Sequence, residues 1–221
     1  MKTLLITGTD TDIGKTIVTA SLRAYYQHYF PYLSIGLIKL IQTGAGGDRQ
    51  FYQQLFPDVI IPLAFSLPLA PPLAAARENK YIDLGIVWQA LAQLQAERDL
   101  VLVEALGGLG SPVTDELTVA DLAGSWRLET ILVVPVKLGA IAQAVANVAL
   151  ARQAKVKLRG IILNCVNACT EEQIADWAPI DLIQSLTHVP VMGIFPHLTE
   201  LTNLEKLAQT ASQLNLEYTQ Y

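Results

Sequence analysis

The chain has 221 residues, 52% of them hydrophobic, enough for one sizeable core and a length that fits a single α/β domain over 1–221. Fifteen Lys and Arg against twenty Asp and Glu leave a formal charge of −5, so no global basic field is available to hold a nucleic-acid backbone or an anionic membrane surface. Cys165 and Cys169 lack a second Cys or His pair to complete a zinc site, and His28, His188 and His197 have no metal-ligand spacing among them.

In chain order, Lys2–Ile6 reads as a strand whose apolar run is too short for a signal-peptide core, so a cytosolic protein is expected. A helix over Lys15–Gln27 follows, then a strand at Ile35–Ile41 and a helix over Asp48–Leu55. Prolines at 62, 68, 71 and 72 interrupt the apolar stretch Val59–Ala76, which rules against a membrane span. Beyond it come a helix over Leu84–Gln95, a strand at Leu100–Glu104, a short helix near Val119–Ala123 and a strand at Thr130–Val136. The remaining pattern gives helices over Ala140–Ala154, Thr170–Leu186 and Asn203–Leu214, with strands at Leu158–Leu163 and Val191–Phe195. β-branched runs alternating with helical periods predict a doubly wound parallel sheet with helices on both faces. Within Ala140–Ala154, Ile141, Val145 and Val148 fall on one face at i, i+4 and i+7; that helix packs on its own sheet or, being alanine-rich, on a second subunit.

The strongest chemical signal lies between the first strand and first helix, Gly8-Thr-Asp-Thr-Asp-Ile-Gly-Lys-Thr16. A strand-to-helix turn of this kind aims several backbone N–H groups and the helix dipole at one point, where phosphate oxygens bind. Lys15 would neutralise β- and γ-phosphate charge and the Thr16 hydroxyl would ligate magnesium. Five residues, rather than the common four, separate Gly8 from Gly14, so the loop is a variant P-loop with Thr9 at the first glycine position.

Three further polar residues end or interrupt apolar strands. Lys39 needs an anion or the open end of the sheet, or else snorkels to water from an edge strand. After it, Gln42-Thr-Gly-Ala-Gly-Gly-Asp48 makes a flexible loop whose acid caps the next helix, contacts magnesium, or both. Glu104 is placed to complete a metal site, because magnesium prefers hard oxygens and P-loop proteins put a carboxylate at a neighbouring strand end. Asn164 carries a donor and an acceptor that match the edge of adenine, although an Asn at a strand end more often makes a turn.

Together, Thr7-Gly-Thr-Asp-Thr with Gly14-Lys-Thr16, Val133-Val-Pro-Val-Lys-Leu-Gly139, and the series Lys39, Asp48, Glu104 and Asn164 resemble the dethiobiotin synthetase family. The resemblance runs through nearly the whole chain. It implies a P-loop homodimer that closes a ureido ring from 7,8-diaminopelargonate and carbon dioxide, ATP going to ADP and phosphate. Lys15 and Lys39 would serve the chemistry, and Thr16, Asp48 and Glu104 would hold Mg2+. ATP would lie against Asp12, Ile13, Gly14, Lys15, Thr16 and Ile17, with Ala105, Leu106 and Gly107 alongside. Asn164, Cys165, Val189, Pro190 and Ile194 would form the base pocket, and Thr11, Thr43, Leu138, Gly139 and Ala140 would meet the substrate.

Several positions depart from the family pattern. Leu40 follows Lys39 where proline is usual, Ala105-Leu106 replace Gly-Ala after Glu104, Ala142 replaces an Asn that helps hold the substrate carboxylate, and Ile194 replaces an acid near the adenosine. These leave the phosphate, metal and lysine set intact. A small-molecule kinase or nucleotide-dependent switch on the same scaffold would transfer to a hydroxyl or hydrolyse, with no need of carbon dioxide. A non-catalytic partitioning-type protein would usually carry a further lysine near the loop start, where Thr7, Gly8 and Thr9 stand.

Overall fold

The computed structural model describes residues 2–219. Strand β1 (Lys2–Gly8) leads through the 9–14 loop into α1 (Lys15–Tyr29). Next come β2 (Ile35–Lys39), β3 (Ile41–Thr43), α2 (Asp48–Leu55), β4 (Leu63–Phe65), α3 (Pro71–Arg77) and α4 (Leu84–Glu97). The second half holds β5 (Leu100–Gly108), α5 (Val119–Ser125), β6 (Glu129–Pro135), α6 (Ala140–Gln153) and β7 (Lys157–Asn164). The last elements are α7 (Glu171–Trp177), α8 (Ile180–Thr187), β8 (Val191–Phe195) and α9 (Leu204–Ala211). No helix among the described residues is long and apolar enough to cross a membrane.

Six parallel strands form one sheet in the order β2-β5-β1-β6-β7-β8, with β3 and β4 paired separately. Because successive side chains on a strand point to opposite faces, the alternation Leu4/Leu5 and Leu102/Val103 feeds two cores. Leu4, Leu102, Val133 and Ile162 pack with α1 and α9, whereas Leu5, Val103, Val134 and Leu163 pack with α4, α5, α6 and α8. Both faces of β1, β5 and β6 are therefore dry, as a doubly wound sheet requires.

Local chemistry explains where the elements differ from expectation. The strand expected over Ile35–Ile41 breaks at Leu40, giving β2 in the large sheet and β3 in the small one. Thr170–Leu186 is two helices: Thr170 and Gln173 form a capping box that opens α7, and Pro179 stands at the head of α8. Pro71 and Pro72, read as breakers of an apolar run, instead open α3, where a missing N–H is no loss. On α6 the buried face is Ala140, Ala144, Val148 and Ala151, while Val145 is exposed. The expected Ile141/Val145/Val148 face is thus rotated, since alanines let the helix axis approach the sheet closely.

Candidate active site

A cavity of about 470 Å³ opens at the carboxyl ends of β1, β2 and β5, lined by Thr11, Asp12, Gly14–Ile17, Lys39, Thr43, Asp48, Glu104 and Leu106–Gly107 among others. In an open parallel sheet this is the edge where the strand order reverses and ligands bind.

The phosphate loop is shaped by two glycines and one acid. A Cβ on Gly8 would fall 2.3 Å from Ile13 Cδ1, so the Ile13 side chain packs over β1 in the space that glycine leaves. Gly14 (φ 82°) and Asp12 (φ 55°) are left-handed, a conformation Asp tolerates better than most residues. No side chain caps α1, and its first N–H groups are left for an anion. Lys15 is buried and its ammonium donates to the Asp10 carbonyl at 2.7 Å. Burial lowers its pKa, a pull that Glu104 only partly offsets. An under-compensated buried cation of this kind favours a phosphate neighbour.

Strand register builds the second half of the site. Lys39 on β2 is level with Glu104 on β5, and its ammonium donates to Glu104 Oε1 at 2.8 Å and to Asp48 Oδ2. Thr16 Oγ1 donates to the same Glu104 Oε1 at 3.0 Å. Burial would lower the Lys39 pKa, but Glu104 and Asp48 outweigh it and the net shift is upward. For Asp48 burial works upward, and Lys39 beats it to hold the carboxyl below its usual range. Asp48 does not cap α2: Gly47 takes that position and Asp48 is the first helical residue, where the dipole favours a negative charge.

The departures fall in places the backbone absorbs. Leu40 donates its N–H to the Glu104 carbonyl at 3.2 Å, a bond proline lacks. Ala105 is buried in the core without a left-handed φ; that conformation belongs to Gly107 (φ 48°). Of the 105–107 segment, Leu106 and Gly107 reach the cavity and Ala105 does not.

The residues expected on the base side fall in separate places. Asn164 is buried, and its Nδ2 donates to the Ile13 carbonyl at 2.7 Å, so it braces the phosphate loop through one of its two amide hydrogens. Val189 and Pro190 precede β8, and the Pro190 carbonyl accepts from Ile161, whereas Phe195 is level with Asn164. Five residues of strand put Pro190 roughly 15 Å from that edge, at the wrong end of the sheet. Ile194 faces a groove with Ile174, Ala178 and Ile180 on the other face of the sheet. Cys165 is buried with its thiol pushed up to about 11 by burial and by Cys169, which leaves an inert packing residue. Bordering the cavity on this side are Val166 and Leu201, neither singled out beforehand.

Leu138 and Gly139 are exposed and Ala140 is buried, and none of the three lines the cavity. The first turn of α6 is tied to the phosphate loop by Thr9 Oγ1 and Gln143 Oε1, 3.2 Å apart. Thr11 and Thr43 both border the cavity. Sequence reading also missed Phe51 on the cavity wall and Tyr52, whose hydroxyl donates to Glu104 Oε2; α2 has the amphipathic spacing that buries one of these aromatics, but nothing local pairs it with residue 104.

A parallel sheet, a phosphate loop after its first strand, a Lys-Thr helix start and a buried acid within the adjacent strand define a P-loop nucleotide-binding protein. The AAA domain family model matches residues 2–205. A ParA family ATPase from Chlorobium tepidum shares the fold with a TM-score of 0.61 at 14% identity, over 98% of this chain and 95% of that one. The MinD cell division protein of Aquifex aeolicus does so with a TM-score of 0.57 at 14% identity, over 98% and 89%. Closer in sequence are the ATP-dependent dethiobiotin synthetases of Gloeothece citriformis, 61% identical over 98% of both chains, and of Synechocystis, 56% identical over 100% of this chain and 95% of that protein. The chain belongs to the dethiobiotin synthetase family.

Proposed function

We propose that this chain is a cytosolic ligase that closes the ureido ring of dethiobiotin from 7,8-diaminopelargonate and carbon dioxide, converting ATP to ADP and phosphate. The observation that carries the reading is the convergence of Lys15, Lys39, Thr16, Asp48 and Glu104 on one cavity edge beside an uncapped helix start. An amine of the substrate adds to carbon dioxide and loses a proton to give a carbamate. A carbamate oxygen then attacks the γ-phosphorus with ADP leaving, and the second amine attacks the resulting anhydride carbon, expelling phosphate and closing the ring. Two anions must meet in the middle step, so charge neutralisation is the main task of the site.

Lys39 is suited to that task as a cation, because its neighbours hold the proton on and make it a poor base. Lys15 and the N–H groups of Asp12–Ile17 serve the phosphates. Thr11 and Thr43 are the substrate-side hydrogen-bonding residues, and the later amine attack depends on placement more than on acid strength. Thr16, Asp48 and Glu104 fit magnesium: the two carboxylates already hold a cation, the Lys39 ammonium, the Thr16 hydroxyl sits on the same Glu104 oxygen, and magnesium takes few protein oxygens and keeps places for water and phosphate. When bound, it supplies further positive charge to the β- and γ-phosphate oxygens.

We place the substrate carboxylate at the start of α6 of a second subunit, where Gly139 (φ 93°) leaves the helix uncapped and a Cβ there would meet nothing. The exposure of Leu138 and Gly139 outside the cavity of the same chain supports a homodimer with a shared site. Mixing the protein with diaminopelargonate, bicarbonate, magnesium and ATP should yield dethiobiotin by mass. Phosphate release independent of the diamine and bicarbonate, with no such product, would overturn the reading.

A further inference from the structure

Tyr52 has no part in the reaction described, yet it is the largest wholly buried side chain, 0% exposed, and its hydroxyl donates to Glu104 Oε2. Lys39 and Thr16 both use the other oxygen, Oε1. The two oxygens of Glu104 are thereby distinguished: one faces the cavity groups and the other is held from behind. The Tyr52 hydroxyl also lies 3.3 Å from the Thr16 carbonyl, so one side chain touches two of the three residues assigned to the metal.

The third, Asp48, sits one helical turn earlier on α2, on the same face as Tyr52. Gly44, Gly46 and Gly47 precede it, all with positive φ, and such a loop offers little resistance to bending. It cannot by itself hold Asp48 at the site. The Tyr52 ring, packed in the core with α1 and the sheet, can.

We propose that Tyr52 is a positioning residue for the metal: it pins Glu104 with Oε1 toward Thr16 and Asp48, and it anchors α2 so that Asp48 reaches the same point. The inference rests on Glu104 and Asp48 being metal ligands. Tyr52→Phe removes one hydroxyl and keeps the ring, so the fold should persist. The test is magnesium-dependent ADP binding by calorimetry in wild type, Tyr52→Phe, Glu104→Gln and the double variant, with melting temperatures measured alongside. Tyr52→Phe should raise half-saturating magnesium about tenfold, the effect typical of removing a partner behind a ligand, and should leave metal-free ADP binding unchanged. In the Glu104→Gln background the same substitution should add little. An unshifted half-saturation in Tyr52→Phe while Glu104→Gln shifts it would overturn the role of Tyr52 alone, leaving it a packing residue. If Glu104→Gln itself leaves the metal dependence unchanged, the assignment of the ligands fails first.

Discussion

Among single residues, the two lysines differ in what the fold does with them. Lys39 lies between two carboxylates, so it holds the fold besides serving the proposed reaction. Lys39→Ala leaves Glu104 buried without its cation, a loss of about 3–5 kcal/mol for a broken buried pair, together with at least about a hundredfold in turnover. Magnesium should recover part of the lost melting temperature by taking the ammonium's place. A variant that forms dethiobiotin at the normal rate would remove β2 from the active site. Lys15 is the opposite case. Its folded-state pKa is lowered by burial, so at neutral pH the unfolded chain holds that proton more tightly and the charge costs stability; the cost fades only as pH rises through the lowered pKa. Lys15→Met should therefore melt higher than wild type without nucleotide at pH 7, by a margin that narrows in alkaline buffer, while losing the stabilisation that ATP gives. A lower melting point at pH 7 would contradict this.

Between elements, the site depends on how closely the phosphate loop can lie on β5. A Cβ at Gly108 would stand 2.7 Å from the Thr9 carbonyl carbon and oxygen and 3.0 Å from the Asp10 nitrogen. These are backbone atoms, which cannot swing aside as a side chain can. Gly108→Ala should push the loop off its strand at an overpacking cost of about 1–3 kcal/mol, and weaken ATP binding at least tenfold by calorimetry with circular dichroism unchanged. Normal ATP affinity would show that the loop is not set by this contact. The same reasoning explains why Ala105 is tolerated: it is an in-strand core position, and the tight, left-handed step comes two residues later.

For the molecule as a whole, the shared-site proposal turns on the second subunit. Leu138 is 84% exposed and Val145 37%, with Ala142, Ala146 and Ala149 exposed beside Val145 on α6, an apolar strip that suits an isologous contact. Ala144, by contrast, is buried against its own sheet, and a charge there would test folding rather than association. Val145→Glu should convert a dimer to monomer by sedimentation and raise the Michaelis constant for the diamine while leaving ATP binding in place. An active wild-type monomer would end the shared-site proposal.

The phosphate loop, the alternation of strands and helices, and the polar residues ending apolar strands were legible because each is local. A turn, a 3.6-residue period or an acid after Val101-Leu-Val103 carries its meaning within a few residues. The placement of Lys39 beside Glu104 was half legible: both read as strand ends, but only the β2–β5 register made them neighbours. Tyr52 behind Glu104, Asn164 bracing Ile13, and Val189–Pro190 at the far end of the sheet were decided by tertiary structure. Which strands pair, which face a side chain takes and which end of β8 lies beside Asn164 follow from burying two cores at once. That global condition leaves no trace in any one stretch of chain.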